Sequence, residues 1–174
     1  MLDKETVKRR FSGEEAFEFD EAVIRNQNGK IDLEATLKNG GSVIFTPNGH
    51  SMHPLIWPQR DYVLVEPFET KKLKRGDVVL YRSELYGHLV IHRVWKHKKD
   101  GLYMVGDNQT EIEGPLAEEV FFGKMTYLNR KGRLISVKNA LYVISVRLWL
   151  FLRPFRRRLM RFAEILKNLI KGKR

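Results

Sequence analysis

Between residues 42 and 137 the chain is a succession of short apolar or alternating runs, and turn formers break it before any helical period is established. The runs are Ser42 to Thr46, Tyr62 to Glu66, Asp77 to Arg82, Leu89 to Trp95, Leu102 to Val105, Val120 to Leu128 and Leu134 to Val137. Pro47-Asn48-Gly49, Arg75-Gly76, Asp100-Gly101 and Lys131-Gly132 stand between them. Alternation of period two bounded by Gly, Asn and Pro is the signature of antiparallel strands. The expected fold class is therefore mainly β within an α+β chain, an antiparallel sheet system or partly closed barrel over residues 39–138. At 174 residues the chain suits one such core plus an appendage.

Residues 1–38 read as a helical lead-in. Ser12 followed by Glu15 is a capping-box pattern and predicts a helix through Ala16, Phe17, Ala22, Val23 and Ile24, closed by Asn28-Gly29. A second short helix is expected from Asp32 to Lys38, stopped by Asn39-Gly40-Gly41. Met1 to Arg10 carry charge with no apolar segment behind them, so neither a secretory signal nor an amino-terminal anchor is expected.

Residues 139–174 form the third part. Leu141, Ile144, Leu148, Leu152, Phe155, Leu159, Phe162, Leu166 and Leu169 recur at spacings of three and four, with Arg and Lys filling the other positions. This is a basic amphipathic helix, bent or interrupted near Pro154. The net charge of +11 belongs to it: this segment holds ten Lys/Arg and one acid, Glu164, whereas the rest of the chain holds 22 basic and 20 acidic residues. Its longest mostly apolar run, Ala140 to Leu152, is 13 residues and contains Arg147, short of the ~20 needed to span a bilayer. The expected partner of 139–174 is an anionic membrane surface contacted peripherally, on the cytoplasmic side. Nucleic acid is not expected, because phosphate binding gives no reason to keep a long apolar stripe.

With no cysteine, disulfides, thiolate metal sites and a cysteine nucleophile are excluded. The chemistry is sought among Ser, Thr and Lys. Gly49-His50-Ser51-Met52-His53-Pro54 places a serine just after a turn, where its hydroxyl can be exposed. A serine needs a base and oxyanion donors to act as a nucleophile. The candidate base is His92 in Val90-Ile91-His92-Arg93-Val94, with the unperturbed pKa of about 6.5 that suits proton transfer near neutral pH. Asp107, in the turn Gly106-Asp107-Asn108, is positioned to orient the imidazole, and Glu113 is an equal alternative.

Four ordered motifs, Gly49-x-Ser51-Met52-x-Pro54, Lys74-x-Gly76-Asp77-Val78-Val79, His92-Arg93-Val94 and Gly106-Asp107-Asn108, resemble the signal peptidase I superfamily over roughly residues 43–125. Common bacterial members and the self-cleaving SOS-type repressors use a lysine base, and the endoplasmic-reticulum and archaeal type uses histidine; this chain resembles the second branch. The resemblance implies a serine endopeptidase with Ser51 as nucleophile, His92 as general base and Asp107 as supporting acid. It further implies a peptide or protein substrate with small side chains before the cut. Where the histidine branch has a second aspartate after Gly-Asp-Asn, this chain offers Glu113, so both carboxylates stand as candidates. A self-cleaving repressor would require a DNA-binding domain, and the 50 residues ahead of Ser51 hold no helix-turn-helix pattern.

No cofactor is expected, and no metal. Among His50, His53, His88, His92 and His97, His50 and His53 are three apart and His88 and His92 four apart, but those spacings gather ligands on helices, and these segments read as turn and strand.

Overall fold

The computed structural model describes residues 4–12, 18–20, 23–26, 29–30 and 32–155. In chain order the elements are α1 (Lys4–Ser12), β1 (Glu18–Asp20), β2 (Val23–Asn26), β3 (Gly29–Lys30), α2 (Leu33–Lys38), β4 (Val43–Phe45), β5 (Asp61–Glu66), β6 (Val78–Arg82), β7 (Leu89–Lys98), β8 (Gly101–Val105), β9 (Glu113–Leu116), β10 (Phe121–Arg130), β11 (Arg133–Ser136) and α3 (Ala140–Phe151). All strand pairings among the described residues are antiparallel. The larger sheet runs β4-β5-β10-β6-β7-β8-β9 with β11 beside β10, and it stays open. The smaller is β1-β2-β3.

The lead-in departs from expectation. Ser12 is the last residue of α1 and does not open a helix, and Val23 and Ile24 lie in β2, paired with β1 through Phe19 opposite Ile24. β-Branched residues ahead of Asn28-Gly29 favour a hairpin, and that local preference outweighs the Ser12/Glu15 capping pattern. Glu15, Ala16, Phe17 and Ala22 lie outside the described residues. The second helix forms as α2, its Asp32 cap accepting the Ala35 N–H at 3.1 Å. In the tail, α3 ends at Phe151 and a 3-10 turn, Arg153–Phe155, takes up Pro154. The expected helix beyond residue 155 lies outside the described residues. No helix among the described residues is long and apolar enough to cross a membrane.

Period two sends alternate side chains of β6 and β7 to opposite faces of the sheet, and both faces are covered. On one face Val78, Leu80 and Ile91 join Leu37, Val43, Met52, Ile56, Val63, Val65, Phe122, Met125 and Leu128. On the other, Val79, Tyr81 and Val94 join Leu73, Leu102, Met104, Leu116 and Phe121. A third cluster, Val7, Ile44, Leu64 and Tyr127, seats α1 against β4, β5 and β10.

α2 reaches the sheet at Gly123. A Cβ there would sit 3.0 Å from both Leu37 methyl carbons and closer still to Val65 Cγ1. Gly123→Ala is expected to cost roughly 1–3 kcal/mol through overpacking, which lowers Tm by about 2–4 °C per kcal/mol. Calorimetry of the variant checks this; an unchanged Tm would mean that α2 does not rest on β10 in this way.

Candidate active site

The turn carrying Ser51 is held at both ends. Met52 and Ile56 are buried in the first core cluster, and the Ile56 N–H donates to Met52 O at 2.9 Å. Beyond them, the Trp57 N–H donates to the Asp61 carboxylate at 3.0 Å, and Arg130 donates from Nη2 to Leu55 O at 2.5 Å and to Asp61 at 2.9 Å. Burial opposes ionisation of Asp61, but hydrogen bonds from Arg60, Arg130 and the Trp57 N–H hold its carboxyl below the usual range. At the other end the Asn108 N–H donates to Ser51 O at 2.7 Å.

That last contact brings the Ser51 and Gly106-Asp107-Asn108 motifs together, and it depends on Gly106. A Cβ at Gly106 would lie 2.8 Å from Ser51 O and collide with Gln109 Oε1. Asp107 sits behind the contact, and both its carboxylate oxygens are taken by Arg93, from Nε at 2.8 Å and Nη2 at 2.6 Å. Neither side chain has any solvent exposure. Arg93 Nη1 also donates to Gly76 O at 2.6 Å. Burial works against the guanidinium charge, but Asp107 and Tyr142 beside it raise the Arg93 pKa on balance. Outside this pair, Trp149 Nε1–H of α3 donates to Asp107 O at 2.9 Å and Arg153 to Thr110 O at 2.7 Å. Trp95 is held between Arg75 and Arg153, at 4.3 and 4.7 Å from the ring centroid.

His92 faces the opposite side of β7 from Arg93. Its Nδ1 lies 3.0 Å from Tyr81 Oη, and Tyr81 donates to Glu113 Oε2 at 2.7 Å. Ser83 Oγ donates to the same carboxylate at 2.7 and 2.9 Å, and the Leu85 N–H at 3.1 Å. The carboxylate joined to the imidazole is thus Glu113, by way of Tyr81, while Asp107 serves Arg93. Burial opposes ionisation of Glu113, but the donors Tyr81, Ser83 and the Leu85 and Glu84 N–H groups outweigh it and hold the pKa below the ordinary value. Burial pushes the His92 pKa down to about 4, Glu113 pulling the other way and His88 adding to the depression. His92 is 3% exposed and neutral at physiological pH.

Between the two halves stands the loop after β6. The Tyr86 ring meets His92 edge-on at 6.1 Å, and Gln109 Nε2 donates to Tyr86 Oη at 3.0 Å. Among the described residues no hydrogen bond joins Ser51 Oγ to His92, and Nε2 of His92 has no partner. Catalytic hydrogen bonds are often long without substrate and tighten when it binds. His50 Nδ1 and His53 Nε2 approach to 3.2 Å on the turn, and no cluster of three or more His, Asp or Glu suited to a metal occurs among the described residues.

Sequence reasoning missed Tyr81, Ser83 and the Arg93–Asp107 pair. The one local signal for Tyr81 is a hydroxyl at the end of the apolar run Val78-Val79-Leu80. Comparison of the chain with family models, curated proteins and solved structures finds no match.

The Arg93–Asp107 pair predicts a division between the two carboxylates. Asp107→Ala leaves a buried guanidinium unpaired and is expected to cost about 3–5 kcal/mol of stability. Glu113→Gln keeps the shape of its partly buried site and is expected to cost far less. Parallel urea melts check this; equal losses would remove the structural role assigned to Asp107.

Proposed function

We propose that this protein is a metal-independent serine endopeptidase of signal-peptidase type, acting on a peptide or protein substrate through an acyl-enzyme. The observation that carries the reading is a neutral, buried histidine tied through Tyr81 to an ionised carboxylate, on the strand whose next residue secures the loop under Ser51. The ordered motifs shared with the signal peptidase I superfamily support it.

In this scheme His92 Nε2 takes the Ser51 hydroxyl proton as Oγ attacks the scissile carbonyl carbon. Backbone N–H groups of the turn at residues 49–52 stabilise the oxyanion. Collapse of the tetrahedral intermediate breaks the C–N bond, and the leaving amine takes the proton from His92. Water, deprotonated by the same nitrogen, then hydrolyses the Ser51 ester and restores the enzyme.

The enzyme works at an anionic membrane surface in this reading. Leu141, Ile144, Leu148, Phe151 and Phe155 recur at three- and four-residue spacing along the outside of α3 and the turn after it, and all are exposed, Leu141 at 78% and Phe151 at 71%. Arg147 is exposed on the same helix, and the sequence continues with Arg156, Arg157, Arg158 and Arg161. An apolar face bordered by cations fits acyl chains below and anionic headgroups around it, each cation contributing on the order of 1 kcal/mol near the surface.

Intact-mass labelling with an acylating serine-peptidase inhibitor is expected to give one adduct on the wild type and none on Ser51→Ala or His92→Ala, both folded. The labelling rate is expected to rise with pH through about 4 and to be flat above about 5, because only neutral His92 accepts a proton. Labelling that survives in Ser51→Ala ends the assignment. Sedimentation is expected to bring the protein down with anionic but not zwitterionic vesicles, and Leu148→Glu/Phe151→Glu to abolish this. Retention on oligonucleotides instead would place the tail with nucleic acid.

A further inference from the structure

We infer that Tyr81 is the positioning residue that fixes His92 as its Nδ1–H tautomer, leaving Nε2 bare to act as the base. This rests on the peptidase reading for its catalytic meaning, but the tautomer itself follows from the hydrogen-bond chain and the charge states of its members.

Proton direction is set at the Glu113 end. An ionised carboxylate has no proton to give, so at 2.7 Å the bond between Tyr81 Oη and Glu113 Oε2 requires the tyrosine proton to lie on the Glu113 side. The same carboxylate accepts from Ser83 Oγ and from the Leu85 N–H, so every polar group converging on it is a donor. With its single proton committed, Tyr81 Oη offers only lone pairs to His92 Nδ1 at 3.0 Å. That nitrogen must then carry the hydrogen, and in a neutral imidazole the other nitrogen does not. Tyr81 can act only this way because it keeps its proton: burial, then the hydrogen bond to Glu113, raises its pKa.

The ring is also held in place. Tyr81 has no solvent exposure and sits in the second core cluster, 5.5 Å between centroids from Phe121. Strand pairing sets Val79 opposite His92 and Tyr81 opposite Val90, which puts the phenol and the imidazole on the same face of neighbouring strands. In a Ser/His/Asp peptidase the carboxylate touches the imidazole, and loss of the tautomer costs up to about 10⁴-fold in turnover. Here the phenol conveys the orienting effect and keeps the carboxylate charge one residue away, which is consistent with a histidine that stays neutral.

The test uses the full chain labelled with ¹⁵N in histidine. The His92 imidazole shifts at neutral pH are expected to report a protonated Nδ1 and a bare Nε2. Tyr81→Phe removes the acceptor and is expected to move the population toward Nε2–H. It should also slow inhibitor acylation by about 10²- to 10⁴-fold at saturation, with binding little changed. Glu113→Gln gives a second reading that does not depend on how the core takes Tyr81→Phe. The Leu85 N–H holds the amide oxygen, so the amide NH₂ faces Tyr81, the tyrosine turns its proton to Nδ1, and Nε2–H is expected to predominate. An Nε2–H tautomer in the wild type, or unchanged His92 shifts in both variants, overturns the inference. Shifts that behave as expected in a wild type that never acylates would uphold the positioning of His92 by Tyr81 and remove the peptidase reading instead.

Discussion

A guanidinium with no exposure to water is the constraint around which the site is assembled. Removing Arg93 from solvent costs several kcal/mol, and the cost is recovered only if its donors meet acceptors in good geometry. Asp107 supplies two, at 2.8 and 2.6 Å, and Gly76 O a third at 2.6 Å. Each acceptor commits a different part of the chain. Asp107 fixes the loop whose next N–H holds Ser51 O, and Gly76 fixes the turn into β6, against which Val146 of α3 packs. An apolar substitute for the pair can match its stability, since buried ion pairs rarely exceed well-packed hydrocarbon. It would not specify where the loop beneath Ser51 must lie.

Consecutive residues of β7 thus serve opposite ends of the same site. Alternation along a strand sends His92 to one face and Arg93 to the other, and the two environments act on their charges in opposite directions. Arg93 meets a carboxylate directly and stays charged. His92 lies beside the Tyr81 phenol and the Tyr86 ring, with the Glu113 carboxylate one residue away, and burial keeps it neutral. A neutral histidine and a permanent cation beneath the loop that holds Ser51 are thereby obtained from one strand.

The body strands were legible because each carries its own period and its own stop. β9 was not, because Glu113-Gly114-Pro115-Leu116 reads locally as a turn; at the edge of a sheet the proline's missing N–H leaves no ladder bond broken. Glu113 itself was legible as a candidate carboxylate. Its route to His92 was not, because the route runs through Tyr81, which depends on the β6–β7 register, a pairing across eleven residues that no local pattern encodes. The motif Gly106-Asp107-Asn108 likewise pointed to an acid for the His92 imidazole, with Glu113 as the alternative, whereas the Asp107 carboxylate meets Arg93. Strand parity decides between them, and parity is knowable only once the loop is seen to lie on the Arg93 face. The lead-in failed for the opposite reason: a strong local signal at Ser12 yielded to hairpin preferences a few residues later.

The expectation for the tail was a single apolar stripe, and α3 has two. Val146 and Leu150 are buried against the body and Tyr142 and Trp149 reach the Arg93–Asp107 pair, whereas Leu141, Ile144, Leu148 and Phe151 face outward. A helix apolar on nearly all sides is ordinarily enclosed by protein or lipid. Here one side is enclosed by the β-sheet body, and Arg147 is the sole charge among the residues of the helix. The inward contacts explain why the helix cannot simply detach to offer its other face: Trp149 would release Asp107 O, and the loop under Ser51 would lose an outer restraint. Any surface that covers the outward stripe must therefore approach the body with α3 in place, which sets the orientation of the Ser51 turn relative to that surface.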